Sequence, residues 1–226
     1  MGRLRDLGGG DYSGPRTAPP SFRPHDLVRI EPAALNPDAP AWAQAMVARG
    51  EPVVVRRGRR AAASLPVGIR GESRARRLAV RVASQAVRAE VITPESLIAV
   101  RPARDTSIPA LAALPEVHAA MKAWHGAWGI GGAVGYELAC GAPACHADSD
   151  IDLILRAPAP PARAELRELI DGLARLPARC DVQLETPAGG VALADWLSSA
   201  DRVLIKSDQG PYLATDPWAL VAGCTP

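Results

Sequence analysis

ADSDIDLILR, residues 147–156, passes from acidic to apolar within a few positions, and the chain on either side can be read from it. In a strand, side chains alternate between faces, so Asp150 and Asp152 fall on one side and Ile151, Leu153 and Leu155 on the other. Two carboxylates side by side repel, and a divalent cation is the common way to keep both ionised. Asp181, in CDVQLE (180–185), offers a third carboxylate from a neighbouring strand, with Glu185 on the same face of that strand. Hard oxygen donors suit Mg²⁺ or Mn²⁺, which keeps waters and substrate phosphates as its remaining ligands. Asp150 and Asp152 are the expected metal ligands, and Asp181 either completes the site or acts as a base.

Just upstream, the glycine cluster GIGGAVG (129–135) should turn the chain into a short helix over Val134 to Ala139. Such a turn offers backbone N–H groups to phosphate oxygens, here those of Gly131, Gly132 and Ala133. Further back, Val117, Met121, Trp124 and Trp128 lie at helical spacing behind Pro115. Downstream, Leu166, Leu169, Ile170, Leu173 and Leu176 describe an amphipathic helix. CDVQLE and RVLIK (202–206) read as strands, the latter closed by a turn at Asp208–Gly210. Turn-and-helix, then Asp-x-Asp, then a third Asp on the next strand is a layout similar to that of the nucleotidyltransferase superfamily. Where that superfamily usually has Gly-Ser, this chain has Gly132–Ala133, so phosphate contacts at the turn fall to backbone N–H groups.

The first part of the chain reads differently. Residues 1–20, rich in Gly, Pro and Arg, predict a flexible tail. Order should begin near Ser21, with a short extended piece over SFRPHDLVRI. Trp42, Met46 and Val47 suggest a helix ended by Gly50, and PVVVRR (52–57) and PVGIRG (66–71) read as strands. Between Ser73 and Ala89, Ala75, Leu78, Ala79, Val82 and Ala86 fit one helical face. The fold class expected is α+β: a mixed-sheet nucleotidyltransferase-like domain at 108–226, preceded by a smaller α/β N-terminal domain at 21–107.

Composition narrows the function classes. Apolar residues make up 48% of 226, enough for a core, while aromatics are 4%, so that core is aliphatic. Net charge is +2, modest for a dedicated nucleic-acid binder. No apolar stretch reaches the ~18 residues that span a bilayer. Cys140, Cys145, Cys180 and Cys224 form no regular framework, which with the absence of a secretory signal predicts a cytoplasmic protein. Cys140, Cys145 and His146 lack the second ligand pair that a structural zinc site needs.

More of the chain resembles a narrower family, the malonate decarboxylase holo-acyl-carrier-protein synthases, or phosphoribosyl-dephospho-CoA transferases. The resemblance is carried by RPHDL (23–27), VVVRR (53–57), PVGIRG with Arg74 and Arg77, TPE (93–95), GGAVGYELACG (131–141), HADSDIDL (146–153), DVQLETPAGGVALADW (181–196) and LIKSDQGPYLATDPW (204–218). It implies a donor, dephospho-CoA carrying a triphosphoribosyl extension, and an acceptor, a serine of the malonate decarboxylase acyl carrier protein. Diphosphate leaves. Citrate lyase has a related prosthetic group, so the resemblance fixes the donor and the carrier no further.

Twelve arginines against three acids lie between Arg56 and Arg104, a local excess suited to a donor with several phosphates. Arg57, Arg70, Arg74 and Arg77 fall within the family-like segments and are the expected substrate contacts. Lys206, one of only two lysines, sits on a strand beside a turn and joins them. His25, beside Asp26, is expected to be a structural or substrate-contacting histidine. Two other classes stay open: a metal-dependent nucleotidyltransferase with a small-molecule, RNA or protein acceptor, and a non-enzymatic basic binding module.

Overall fold

The computed structural model describes residues 21–59, 63–71, 76–104 and 107–219. The expected tail at 1–20, Arg74 and Cys224 lie outside the described residues. The chain forms two sheets, an α+β arrangement as its pattern implies.

The first sheet has the order β4-β3-β2-β1-β5 and is antiparallel throughout. Its strands are β1 (Leu27–Ile30), β2 (Val53–Val55), β3 (Ser64–Arg70), β4 (Arg77–Ala83) and β5 (Val87–Ile92), with helix α1 (Ala41–Ala48) between β1 and β2. Gly50 closes α1 with φ +74, a conformation glycine adopts without the cost other residues carry. The helix expected over Ser73–Ala89 is not there: β4, a 3-10 turn at Ser84–Ala86 and β5 occupy its described part. Seven register pairs, from Ser64↔Ala83 to Arg70↔Arg77, hold β4 to β3 and bury Leu65, Val67, Ile69 and Val82. Alanine suits a helix, but here pairing with a buried neighbour overrides propensity.

The second sheet has the order β11-β10-β9-β8-β7-β6, with β7 and β8 parallel and the other neighbours antiparallel. Leading into it are a 3-10 turn at Pro94–Leu97, α2 (Pro109–Ala112), α3 (Leu114–Ala120) and a 3-10 turn at Met121–Ala123. Then come β6 (Trp128–Ile130), α4 (Gly132–Cys140), β7 (Ile151–Arg156), α5 (Arg163–Leu173), β8 (Cys180–Thr186), β9 (Gly189–Ala192), α6 (Leu193–Leu197), β10 (Val203–Ser207) and β11 (Gly210–Ala214). The helix expected through Trp124 and Trp128 ends earlier, since Trp124 is extended and Trp128 begins β6. Leu166, Leu169 and Leu173 of α5 are buried, each contributing about 1.5–3 kcal/mol against exposure. No helix of the described residues is long and apolar enough to cross a membrane.

Polar side chains join the two sheets. Glu95 accepts from Arg156 at 2.6 Å and from Arg23 at 3.2 Å, Tyr136 donates to Glu51 at 3.0 Å, and Arg57 pairs with Glu185. Gly129 packs so closely on the backbone of Pro94 and Glu95 that a Cβ there would collide with it. The 93–97 segment therefore sits on the second sheet.

Candidate active site

The facing walls of the two halves enclose a cleft of about 900 Å³. Its floor on the second sheet is built by β7 and β8, and the parallel register pairs Asp152 with Asp181. Asp152 and Ile154 face the cleft, whereas Ile151, Leu153 and Leu155 are fully buried on the other side, as period-two alternation requires. Asp150 stands at the mouth of β7 and also lines the cleft.

Helix α4 starts beside these carboxylates. Gly131 N–H donates to the Asp152 carbonyl at 2.8 Å, extending the β6–β7 ladder by one step before the helix begins. Gly132 then takes φ +59. The first N–H groups of a helix have no carbonyl behind them within the helix, and Gly131, Gly132 and Ala133 all line the cleft. A strand end carrying acids beside a helix start carrying N–H groups can hold both a cation and phosphate oxygens.

Burial raises the Asp152 carboxyl above the usual carboxylate range, and the charges of Asp150 and Asp181 raise it further. Arg179 donates from Nη2 to Asp150 at 2.8 Å and to Asp181 at 2.9 Å, while its own side chain is 72% exposed. Among the described residues, no group of three or more His, Cys, Asp or Glu is placed to hold a metal ion. Asp150 and Asp152, the ligands expected from the sequence, both line the cleft. Two carboxylates in a polar cleft fit a divalent cation that completes its shell with water and phosphate oxygens. Their mutual repulsion is what such a cation relieves. Zinc held by sulfur fits poorly: Cys140 donates to the Tyr136 carbonyl at 3.1 Å, and burial pushes the Cys145 thiol up to about 12.

The opposite wall is basic. Arg70 and Arg77 line the cleft, and so does Arg56. Arg70 donates to the Ala144 carbonyl at 2.9 Å and lies over the Tyr136 ring. Lys206 reaches the cleft from β10. Arg57 does not line the cleft itself: it pairs with Glu185 and lies against Gly190, while its neighbour Arg56 is among the lining residues.

His25 lines the cleft with φ +76, a strained conformation for a non-glycine residue. Its sequence neighbour Asp26 is turned away, accepting from the Arg23 N–H at 2.7 Å. The ring instead meets the second sheet, with Nε2 2.8 Å from Gln183 Nε2 and 3.2 Å from Glu185 Oε1. Burial would raise the Glu185 carboxyl, but His25 and Arg57 hold it down to about 2.

Four contributors escaped sequence reading. Arg56 was overshadowed by the adjacent Arg57; just past the end of β2, the first lines the cleft and the second pairs with Glu185. Arg179 lies one residue before the recognised CDVQLE strand. Gln183 reads as an ordinary strand position. Glu137 is buried in α4, where it accepts from Arg104 and, at 2.8 Å each, from the N–H groups of Ala144 and Cys145. Burial would raise its carboxyl, but these donors hold it down to about 2. Glu137 thus fixes the loop that carries His146, Ser149 and Asp150 into the cleft. A lone Glu between Tyr136 and Leu138 gave no sign of this.

The family model described as the phosphoribosyl-dephospho-CoA transferase MdcG N-terminal domain matches residues 23–94, and that for the C-terminal domain matches residues 96–217. A phosphoribosyl-dephospho-CoA transferase of Pseudomonas putida (strain W619) is 49% identical over 200 residues, covering 88% of this chain and 96% of the relative. One of Azotobacter vinelandii is 42% identical over 204 residues, covering 88% and 96%. No solved structure matches. With both halves matched in order and the carboxylate strands falling inside the C-terminal match, the chain belongs to the phosphoribosyl-dephospho-CoA transferase family.

Proposed function

We propose that this chain transfers a phosphoribosyl-dephospho-CoA group from its triphosphate donor to a serine of an acyl carrier protein, that of malonate decarboxylase. The serine oxygen bonds to the α-phosphorus, the bond to the leaving diphosphate breaks, and a phosphodiester remains on the carrier. The observation that carries this reading is the Asp152–Asp181 register pair beside the start of α4, faced across one cleft by Arg56, Arg70 and Arg77. Carboxylates on one wall and guanidiniums on the other suit a ligand with several phosphates.

Asp150 and Asp152 would hold a divalent cation, Mg²⁺ or Mn²⁺, which when bound supplies charge neutralisation on the triphosphate and the leaving diphosphate. Backbone N–H groups at Gly132 and Ala133 orient phosphate oxygens. Arg56, Arg70, Arg77 and Lys206 balance the remaining phosphate charge, and His25 contacts the donor from the first half. Asp181, half exposed, would take the serine proton.

The test is to incubate the protein with Mg²⁺, the triphosphoribosyl donor and the apo-carrier of malonate decarboxylase or of citrate lyase, then weigh each carrier by mass spectrometry. The expected result is a mass gain equal to the prosthetic group on the malonate decarboxylase carrier. A gain on neither carrier would overturn the reading and return the chain to nucleotidyl transfer onto another acceptor.

A further inference from the structure

The carboxylate face of the second sheet continues beyond the cleft. Register pairs Asp152 with Asp181, Glu185 with Gly190, Gly190 with Lys206 and Leu204 with Leu213. Paired residues share a face, as do residues two apart along a strand. Asp152, Asp181, Lys206, Leu204 and Leu213 therefore stand on one surface. The reverse side of the hairpin is closed by Val191, Val203 and Ile205, with Trp196, Tyr212 and Ala214 packed against them.

The first half of the chain covers the carboxylate face only partway along. Arg57 reaches Glu185, and the Gly58 N–H reaches Asp208 at 3.3 Å. Farther along β10 and β11, Leu204 is 40% and Leu213 50% exposed, two of the three large hydrophobics left exposed among the described residues. A single exposed leucine needs no explanation, but a facing pair on an edge hairpin next to an active cleft is a patch. Arg202 and Lys206 flank Leu204 at two-residue spacing; the acids nearby, Asp201, Asp208 and Asp216, lie at the ends of the hairpin, outside β10 and β11.

We propose that the hairpin face around Leu204 and Leu213 is the docking surface for the acceptor, a folded carrier protein with acidic and apolar side chains beside its serine. This rests on the transfer reading above. Strands lie about 4.8 Å apart, so β10 is roughly 10 Å from β8. A stable interface covers about 800 Å² on each partner, a disc of roughly 16 Å radius. A folded acceptor whose serine reaches Asp181 thus extends over Leu204 and Leu213 if it approaches from the open edge of the cleft. The basic flanks select an acidic partner.

The variant Leu204→Asp/Leu213→Asp changes two exposed side chains outside the donor-binding machinery. Its KM for apo-carrier should rise roughly tenfold or more, with the KM for donor unchanged. Leu204→Met/Leu213→Met should keep the wild-type KM. Direct calorimetric binding of apo-carrier, without donor, is measured alongside. Wild type that binds the carrier more tightly than the Asp variant yet transfers nothing would sink the transfer reading and leave docking standing. Equal carrier affinity in wild type and Asp variant, or no carrier binding by wild type, would overturn the docking proposal. So would a wild-type dimer, seen by light scattering, that the Asp substitutions dissociate, since the patch would then belong to a second copy of this chain.

Discussion

A Cβ built on Gly132 would lie 1.7 Å from Asp152 Oδ2, so the first turn of α4 and the β7 carboxylate share space that only glycine leaves open. This approach puts a carboxylate and helix N–H groups side by side, as the proposed cation ligand and phosphate cradle would need. The φ of +59 at Gly132 sets the same requirement independently.

Gly132→Ala should therefore lose most transfer activity. The left-handed backbone alone costs roughly 1–2 kcal/mol, and the methyl group displaces Asp152 as well. Thermal unfolding and turnover measured together check this. Full turnover in the alanine variant would show that the contact is not needed.

Arg179 holds Asp150 and Asp181 where a cation would also draw on their charge. Arg179→Ala should tighten Mn²⁺ binding, followed by the paramagnetic resonance of the free ion. Exposed ion pairs are worth up to about 1 kcal/mol each, so a three- to tenfold gain is expected, roughly. Unchanged or weaker Mn²⁺ affinity would mean that Arg179 does not compete with the ion.

The adjacent arginines should separate cleanly. Arg56→Ala, in the cleft, should raise the KM for donor with little effect on stability. Arg57→Ala leaves Glu185 short of a partner for its buried charge, and should cost about 3 kcal/mol of stability or more. Chemical denaturation and donor titration of the two variants make the comparison. A reversed pattern would mean that the roles of the two arginines have been assigned the wrong way round.

How much of this was legible in the sequence depends on how far each signal reached. Alternation in IDLILR and CDVQLE is local and strong, because one face of each strand is buried. The glycine turn and the α5 leucines were equally plain. Residues 77–83 misled because Leu78, Ala79 and Val82 fall at helical spacing, while Ile69, Gly68 and Leu65, the partners that make them a strand, lie well back along the chain in β3. The Arg57–Glu185 and Arg179–Asp181 contacts were hidden for a related reason. A sequence shows that charges exist, and only the folded chain shows which of them meet.

Glu137 gives a pH dependence with a defined sign. Its carboxyl is held down to about 2 in the folded chain, against about 4.5 when unfolded. The stability it contributes is fully present above about pH 4.5 and is lost as pH falls toward 2, on the order of 3 kcal/mol in all. Glu137→Gln should be less stable near neutral pH and should lack this part of the acid dependence. Parallel acid titrations of unfolding free energy for both proteins decide it, and identical slopes below pH 4.5 would count against the assignment.

The proposed transfer chemistry turns on Asp152. Asn at this position removes the charge and keeps the shape, and it relieves both the burial of that charge and the repulsion from Asp150 and Asp181 that together raise the carboxyl. Wild type and Asp152→Asn should be incubated with donor, Mg²⁺ and apo-carrier, and the carrier weighed at intervals. The wild type should add the prosthetic-group mass, whereas the variant should add none and unfold at a temperature no lower than wild type. Carrier loading by Asp152→Asn at the wild-type rate would contradict the account.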